Sequence, residues 1–308
     1  MTPHTFLTLL KREAWEHRSL VWVPLLTAAL IVATALISTS VAGSVRISAN
    51  GDGSEFFALL SSDSQAQAQL FGVWLGALVA PIAVITAIVL FFYLLDTLYA
   101  ERKDRSILFW KSLPVSDSAT VLSKALTALV AVPVWVWLLS MVTGLLTFVI
   151  VAIKVSGTPI SPLGNFHVGV WLVLQLTLLQ NLLIASLWYA PIAAYLLLMS
   201  AWANRAPFLW AVLPPAMLAL FEEITLDTDH VANLLGHRLS GFFSAVGPSV
   251  QIDSDAGDAA SVVQSISDAY ESLSAASLLT TSDLYLGVAV AAVLLIAAAR
   301  LRRSRDDA

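Results

Sequence analysis

The chain has 308 residues, of which 58% are hydrophobic and 12% charged, with a mean hydropathy of +0.82 and a formal charge of −5. A soluble domain would carry about twice that share of charge, so the composition excludes an ordinary soluble fold and points to several membrane spans of roughly 20 apolar residues each. The absence of cysteine excludes disulfides, thiolate metal sites and cysteine nucleophiles.

In chain order, "PHTFLTLLKREAWEHRS" places Phe6, Leu9, Leu10 and Ala14 at helical spacing, with Lys11, Arg12 and Arg18 elsewhere on the surface. This reads as an interfacial helix over 1–19 on the inner leaflet, or as a cytoplasmic extension of the first span. The run 20–42 is too long for a signal-peptide core and predicts a retained span, although "STSVAGS" after it resembles a cleavage site. Further spans are predicted at 70–95, 125–153, 168–203, 207–221 and 284–301. The fourth is expected to bend at Pro191, and Pro214–Pro215 should make the fifth irregular. Gly43–Gln69 is a Ser-, Gly- and Gln-rich connector. In the connector 222–282, Val231, Leu234, Leu235, Leu239, Phe242, Phe243 and Val246 predict an amphipathic helix after the cap Asp229. Val262, Val263, Ile266, Tyr270 and Leu273 predict a second. The fold class is thus an all-α integral membrane protein, with 1–308 forming one transmembrane domain.

Six spans put both termini on one side, and the connectors of that side hold 13 of the 16 basic residues. Only Arg46, Lys154 and Arg238 lie opposite, whereas 13 of the 21 acids do. The positive-inside rule places the termini in the cytoplasm.

Motifs for chemistry are few. No phosphate-binding loop, H-E-x-x-H or G-x-S-x-G occurs, so no catalytic, cofactor or metal residue is assigned. Glu222–Glu223 resembles the E-E-x-x-x-R motif of CAAX-type membrane proteases, but Asp227 stands where that motif has arginine. A solvated outer helix accounts for these residues equally, so an intramembrane hydrolase stays only as an alternative. Span four carries Gln175, Thr177, Gln180 and Asn181, suited to interhelical hydrogen bonds or to lining a pathway or dimer seam. No carboxylate sits mid-span, which weakens a proton-coupled secondary transporter.

The densest charge falls in the cytoplasmic connector 96–124, with eight charged residues from Asp96 to Asp117. Glu101 and Arg105 stand at i,i+4 in the favourable order for a helix. An apolar block Ile107–Trp110 follows, Pro114 breaks the helix after Leu113, and Ser116 or Asp117 caps the next one. Exposed aromatics and mixed charge suit either a lipid headgroup layer or a protein partner.

The string "ERKDRSILFWKSLPVSD", with Lys124 after it, resembles the signature of the ABC-2 family of ABC-transporter permeases and covers about a tenth of the chain. Glu101, Arg102, Asp104, Arg105, Ser106, Leu108, Phe109, Lys111, Ser112, Leu113, Pro114 and Lys124 carry the resemblance, although many relatives have glycine at the place of Arg105. It implies that the connector is a coupling helix seated in a separate ATP-binding subunit, with Glu101, Arg102, Asp104, Arg105, Leu108, Phe109, Trp110, Leu113 and Pro114 as coupling residues. It further implies a smaller contact at "SAWANRAP", ATP and Mg on the partner, and a second permease chain, identical or related. No nucleic acid is expected. The implied function is the permease subunit of an ATP-driven exporter in a bacterial inner membrane. A secondary transporter, a hydrolase and a signalling scaffold are the alternatives.

Overall fold

The computed structural model describes residues 3–38, 64–104, 116–155, 168–246 and 274–304. Every described element is helical, and among them six helices are long and apolar enough to cross a membrane. The chain is therefore built as a multi-pass membrane protein, the architecture in which each backbone group is satisfied within its own segment.

Helix α1 spans Pro3–Glu16 and α2 spans Ser19–Ile37. Between them the His17 amide bonds the Glu13 carbonyl and the Leu20 amide bonds the His17 carbonyl, making a tight corner. Helix α2 stops before the predicted residue 42, and 39–42 lie outside the described residues. Its last carbonyls, on Ala35, Leu36 and Ser38, accept from Lys154 Nζ at 2.5–2.9 Å. A cation thus satisfies groups that the helix leaves unpaired.

Helix α3, Ser64–Lys103, has 40 residues and so extends about 60 Å, twice the thickness of a hydrocarbon core. The expected end at residue 95 marks where the apolar run stops, not where the helix stops. Helix α4, Asp117–Leu126, starts under a Ser116 cap whose Oγ accepts from the Ala119 amide at 3.3 Å, as expected. A π-helical turn, Thr127–Ala131, joins it to α5, Val132–Val155. Pro133 stands two residues beyond the turn, and its missing amide hydrogen leaves the Leu129 carbonyl within the turn without its α-helical donor.

Helix α6 runs unbroken over Val168–Trp202 with Pro191 inside it. Ala206 then takes a left-handed conformation, φ 47°, and Pro207 opens α7 at its first turn. Contrary to expectation, α7 is one continuous helix over Pro207–Leu226 despite Pro214 and Pro215. Pro215 leaves the Ala211 carbonyl without its intrahelical donor, and Tyr195 Oη on α6 supplies one at 3.1 Å. Helix α8 covers His230–Val246 and starts where the sequence placed it, the Asn233 amide bonding the Asp229 carbonyl. The second predicted helix of this connector, through Leu273, lies outside the described residues. A 3-10 turn, Ala275–Thr280, leads into α9, Ser282–Ser304.

Helix α6 is central. It packs along α9 and α3, and Ala190 and Ala194 meet Ala291 where small side chains let α6 and α9 approach. The main apolar cluster includes Leu20, Ile82, Leu94, Val121, Ala128 and Leu197, from four helices and the π-helical turn. The last turns of α1 and of α9 lie at the same end of the bundle, where Arg12 and Arg302 share one carboxylate, Glu101.

Candidate functional site

At this terminus-bearing end, α1, α3, α4 and α9 meet in a buried network of charge. Glu13 and Lys124 are each 0% exposed. Lys124 Nζ donates to both Glu13 oxygens at 2.9 and 3.1 Å and to Thr97 Oγ1 at 2.7 Å, and it pairs with Glu101 Oε1 at 3.1 Å. Its three N–H donors are thereby fully used. Tyr93 Oη donates to Glu13 at 2.9 Å. Glu101 Oε2 receives Arg302 Nη1 at 2.8 Å and its Oε1 receives Arg12 Nη2 at 3.1 Å. Arg302 Nε reaches Asp117 at 3.0 Å, and Arg12 Nε reaches Glu16 at 2.7 Å.

The elements place these groups simply. Tyr93, Thr97 and Glu101 recur every four residues along one face of α3, and Asp117 and Lys124 stand two turns apart on α4. Glu13 follows Leu9 by four, so it lies on the apolar face of α1. Burial opposes the Arg12 cation, but hydrogen bonding and attraction from Glu16, with Glu101 and Glu13 adding to it, outweigh that and raise its pKa. Burial, and then the Lys124 charge, hold the His17 imidazole below its usual pKa. His17 Nε2 lies 3.4 Å from Thr97 Oγ1, with its ring edge-on to Tyr93.

A second tie lies one residue on. Arg102 Nη2 donates at 2.7 Å to the carbonyls of Ser200 and Ala203, at the C-terminal end of α6. Ser200 Oγ in return accepts from the amides of Leu98 and Tyr99.

Of the residues the sequence singled out for coupling, Glu101 and Arg102 are buried and hold helices together, while Asp104 is exposed where α3 ends. Arg105, Leu108, Phe109, Trp110, Leu113 and Pro114 lie outside the described residues. Glu101 is committed to Arg12, Lys124 and Arg302, partners from three other helices. Sequence reasoning missed Glu13, Tyr93, Thr97 and Arg302. The available signals were an acid on the apolar face of α1 and the four-residue recurrence on α3.

In span four, the Asn181 side-chain oxygen accepts from the Ala275 amide at 2.9 Å, and Thr177 bonds back to the Val173 carbonyl. Gln180 is exposed, whereas Gln175 is buried with its amide unpaired among the described residues. At the end of α7, the Glu222 carboxylate accepts from Thr228 Oγ1 and from the amides of His230 and Val231 at 2.7–3.0 Å, capping α8. Helix α8 is seated against α6, with Trp188 Nε1 donating to the Arg238 carbonyl and the Arg238 guanidinium 4.6 Å over the Trp188 ring. Gly287 on α9 leaves room for that guanidinium, which a Cβ would strike.

The chain matches no family model, no curated protein and no solved structure.

Proposed function

We propose that this chain is the membrane subunit of an ATP-driven exporter, with hydrolysis on a separate ATP-binding subunit that carries the ATP and Mg. The observation that supports it most is the buried network at both roots of the connector. Glu101 and Arg102 stand where the connector leaves α3, and Asp117 and Lys124 where it enters α4. Together they are fastened to three other helices, Lys124 to α1, Arg102 to α6, and Glu101 and Asp117 to α9. A push on the connector would therefore be passed to the bundle as a whole instead of being absorbed at a loose hinge.

In this reading α1 lies at the cytoplasmic leaflet of a bacterial inner membrane and both termini are cytoplasmic. Residues 105–114 seat in the ATPase, while Glu101 and Arg102 anchor that seat from behind. Helix α8 and the segment after it cover the outer mouth. Two permease chains enclose the substrate path, with faces of spans two and four as its lining.

The test is purification of the tagged protein from its native membranes beside a variant carrying Trp110→Ala and Leu113→Asp. An ATPase that accompanies the parent and is lost from the inserted variant supports docking through the connector. No ATPase with either protein overturns the reading and favours gradient-driven transport.

A further inference from the structure

At the terminus-bearing end, a groove of about 680 Å³ opens between the first turns of α4 and the last turns of α9. It is lined by Ser116, Ser118, Arg300 and Arg303 together with the apolar Leu122 and Ile296. A second hollow of about 530 Å³, lined by Val293, Ala297 and Leu301, continues from it past Ile296 and Arg300 along α9. Ile296, Arg300 and Arg303 stand at i, i+4 and i+7, so one stripe of α9 passes from apolar to cationic over about 10 Å.

Asp117, the acid in the groove, is occupied by Arg302 at 3.0 Å. Arg300 and Arg303 are exposed and have no ion pair among the described residues. They face the positive end of α4 across the groove, where Ser118 is also exposed. Cations, hydroxyls and a helix N-terminus lining one groove suit a phosphate, and the apolar residues that precede the arginines along α9 suit an acyl chain. A soluble anion would have no use for the trough, and a neutral lipid none for the paired arginines.

We propose that this groove holds one anionic glycerophospholipid, its phosphate between Arg300, Arg303 and Ser118 and an acyl chain along Ile296 and Val293. The lipid bridges the end of α9 to the root of α4, so the acidic lipid content of the leaflet sets how firmly the two are joined. The inference depends on the membrane-spanning architecture and not on an ATPase partner.

The test uses the full-length protein in phosphatidylcholine nanodiscs or micelles, titrated with phosphatidylglycerol, with more phosphatidylcholine, or with inorganic phosphate. Binding is read by native mass spectrometry and thermal unfolding. One tightly held phosphatidylglycerol per chain is expected, with a matching rise in Tm that neither control reproduces. Each cation near an acidic headgroup contributes roughly fivefold, so R300Q/R303Q should bind about thirtyfold more weakly. S118D, which sets a carboxylate on the rim at a helix start that tolerates acids, should abolish the effect without unfolding the chain. Equal stabilisation by phosphatidylcholine overturns the proposal, as does a response to phosphate alone. So does phosphatidylglycerol binding that survives both R300Q/R303Q and S118D.

Discussion

Replacing Lys124 by methionine removes the one cation that faces Glu13 at full burial. Glu101 keeps Arg12 and Arg302, but Glu13 is left with Tyr93 Oη and loses its charge partner. Breaking a buried pair from one side costs about 3–5 kcal/mol, because the remaining charge stays desolvated. The cost should therefore sit at Glu13, and removing that charge as well should recover part of it. Glu13→Gln is expected to destabilise the parent yet stabilise the Lys124→Met variant, giving a coupling of about 1–3 kcal/mol in a double-mutant cycle. The assay is reversible unfolding in mixed micelles, followed by tryptophan emission. If Glu13→Gln lowers the stability of Lys124→Met as much as it lowers the parent's, the two groups do not form the pair described.

Glu222→Ala removes the acceptor of three donors at the start of α8, and fraying of its first turn is expected. Faster hydrogen exchange confined to residues 228–235 would report it, and unchanged protection would count against the capping role. His17→Asn should flatten the acid side of the stability profile. The folded His17 pKa is held below its unfolded value by burial and Lys124, against the opposing pull of Glu13, Glu16 and Asp96. The unfolded chain therefore binds the proton more readily, and the contribution present above about pH 6.5 is lost as pH falls. Parent and variant profiles that run parallel between pH 7 and 5 would refute this.

The spans were legible because a bilayer core demands long apolar runs, and Ser116 and Asp229 were legible as helix starts because capping is local. Helix ends were harder. Hydropathy reports where a helix leaves lipid, and α3 continues past that point through Thr97, Glu101 and Lys103. The irregularity expected at Pro214–Pro215 does not break α7, because the Ala211 carbonyl finds its donor on α6. The charge network was illegible for the same kind of reason. Glu13 meets Lys124 across 111 positions, and Arg302 meets Glu101 across 201. No local pattern carries such a pairing. Two of the three exceptions to the positive-inside count have structural explanations of this sort, and the third, Arg46, lies outside the described residues. Lys154 closes the end of α2, and Arg238 stacks on Trp188.

A buried ion network contributes little net stability over well-packed apolar side chains, so its presence at the connector needs another reason. The apolar faces of α3 and α4 offer similar side chains at successive turns, and a one-turn slip of about 5.4 Å would still bury them. It would not bury Lys124 against Glu13, Glu101 and Thr97 together, because those groups come from two helices and converge at one height. The network therefore fixes register where apolar packing alone does not. Arg102 does the same between α3 and α6 through the last carbonyls of α6. The two ends of the connector are thus held at set heights against α1, α6 and α9. Relaxing the network should loosen that link before it unfolds the bundle, whose main apolar cluster extends well beyond it.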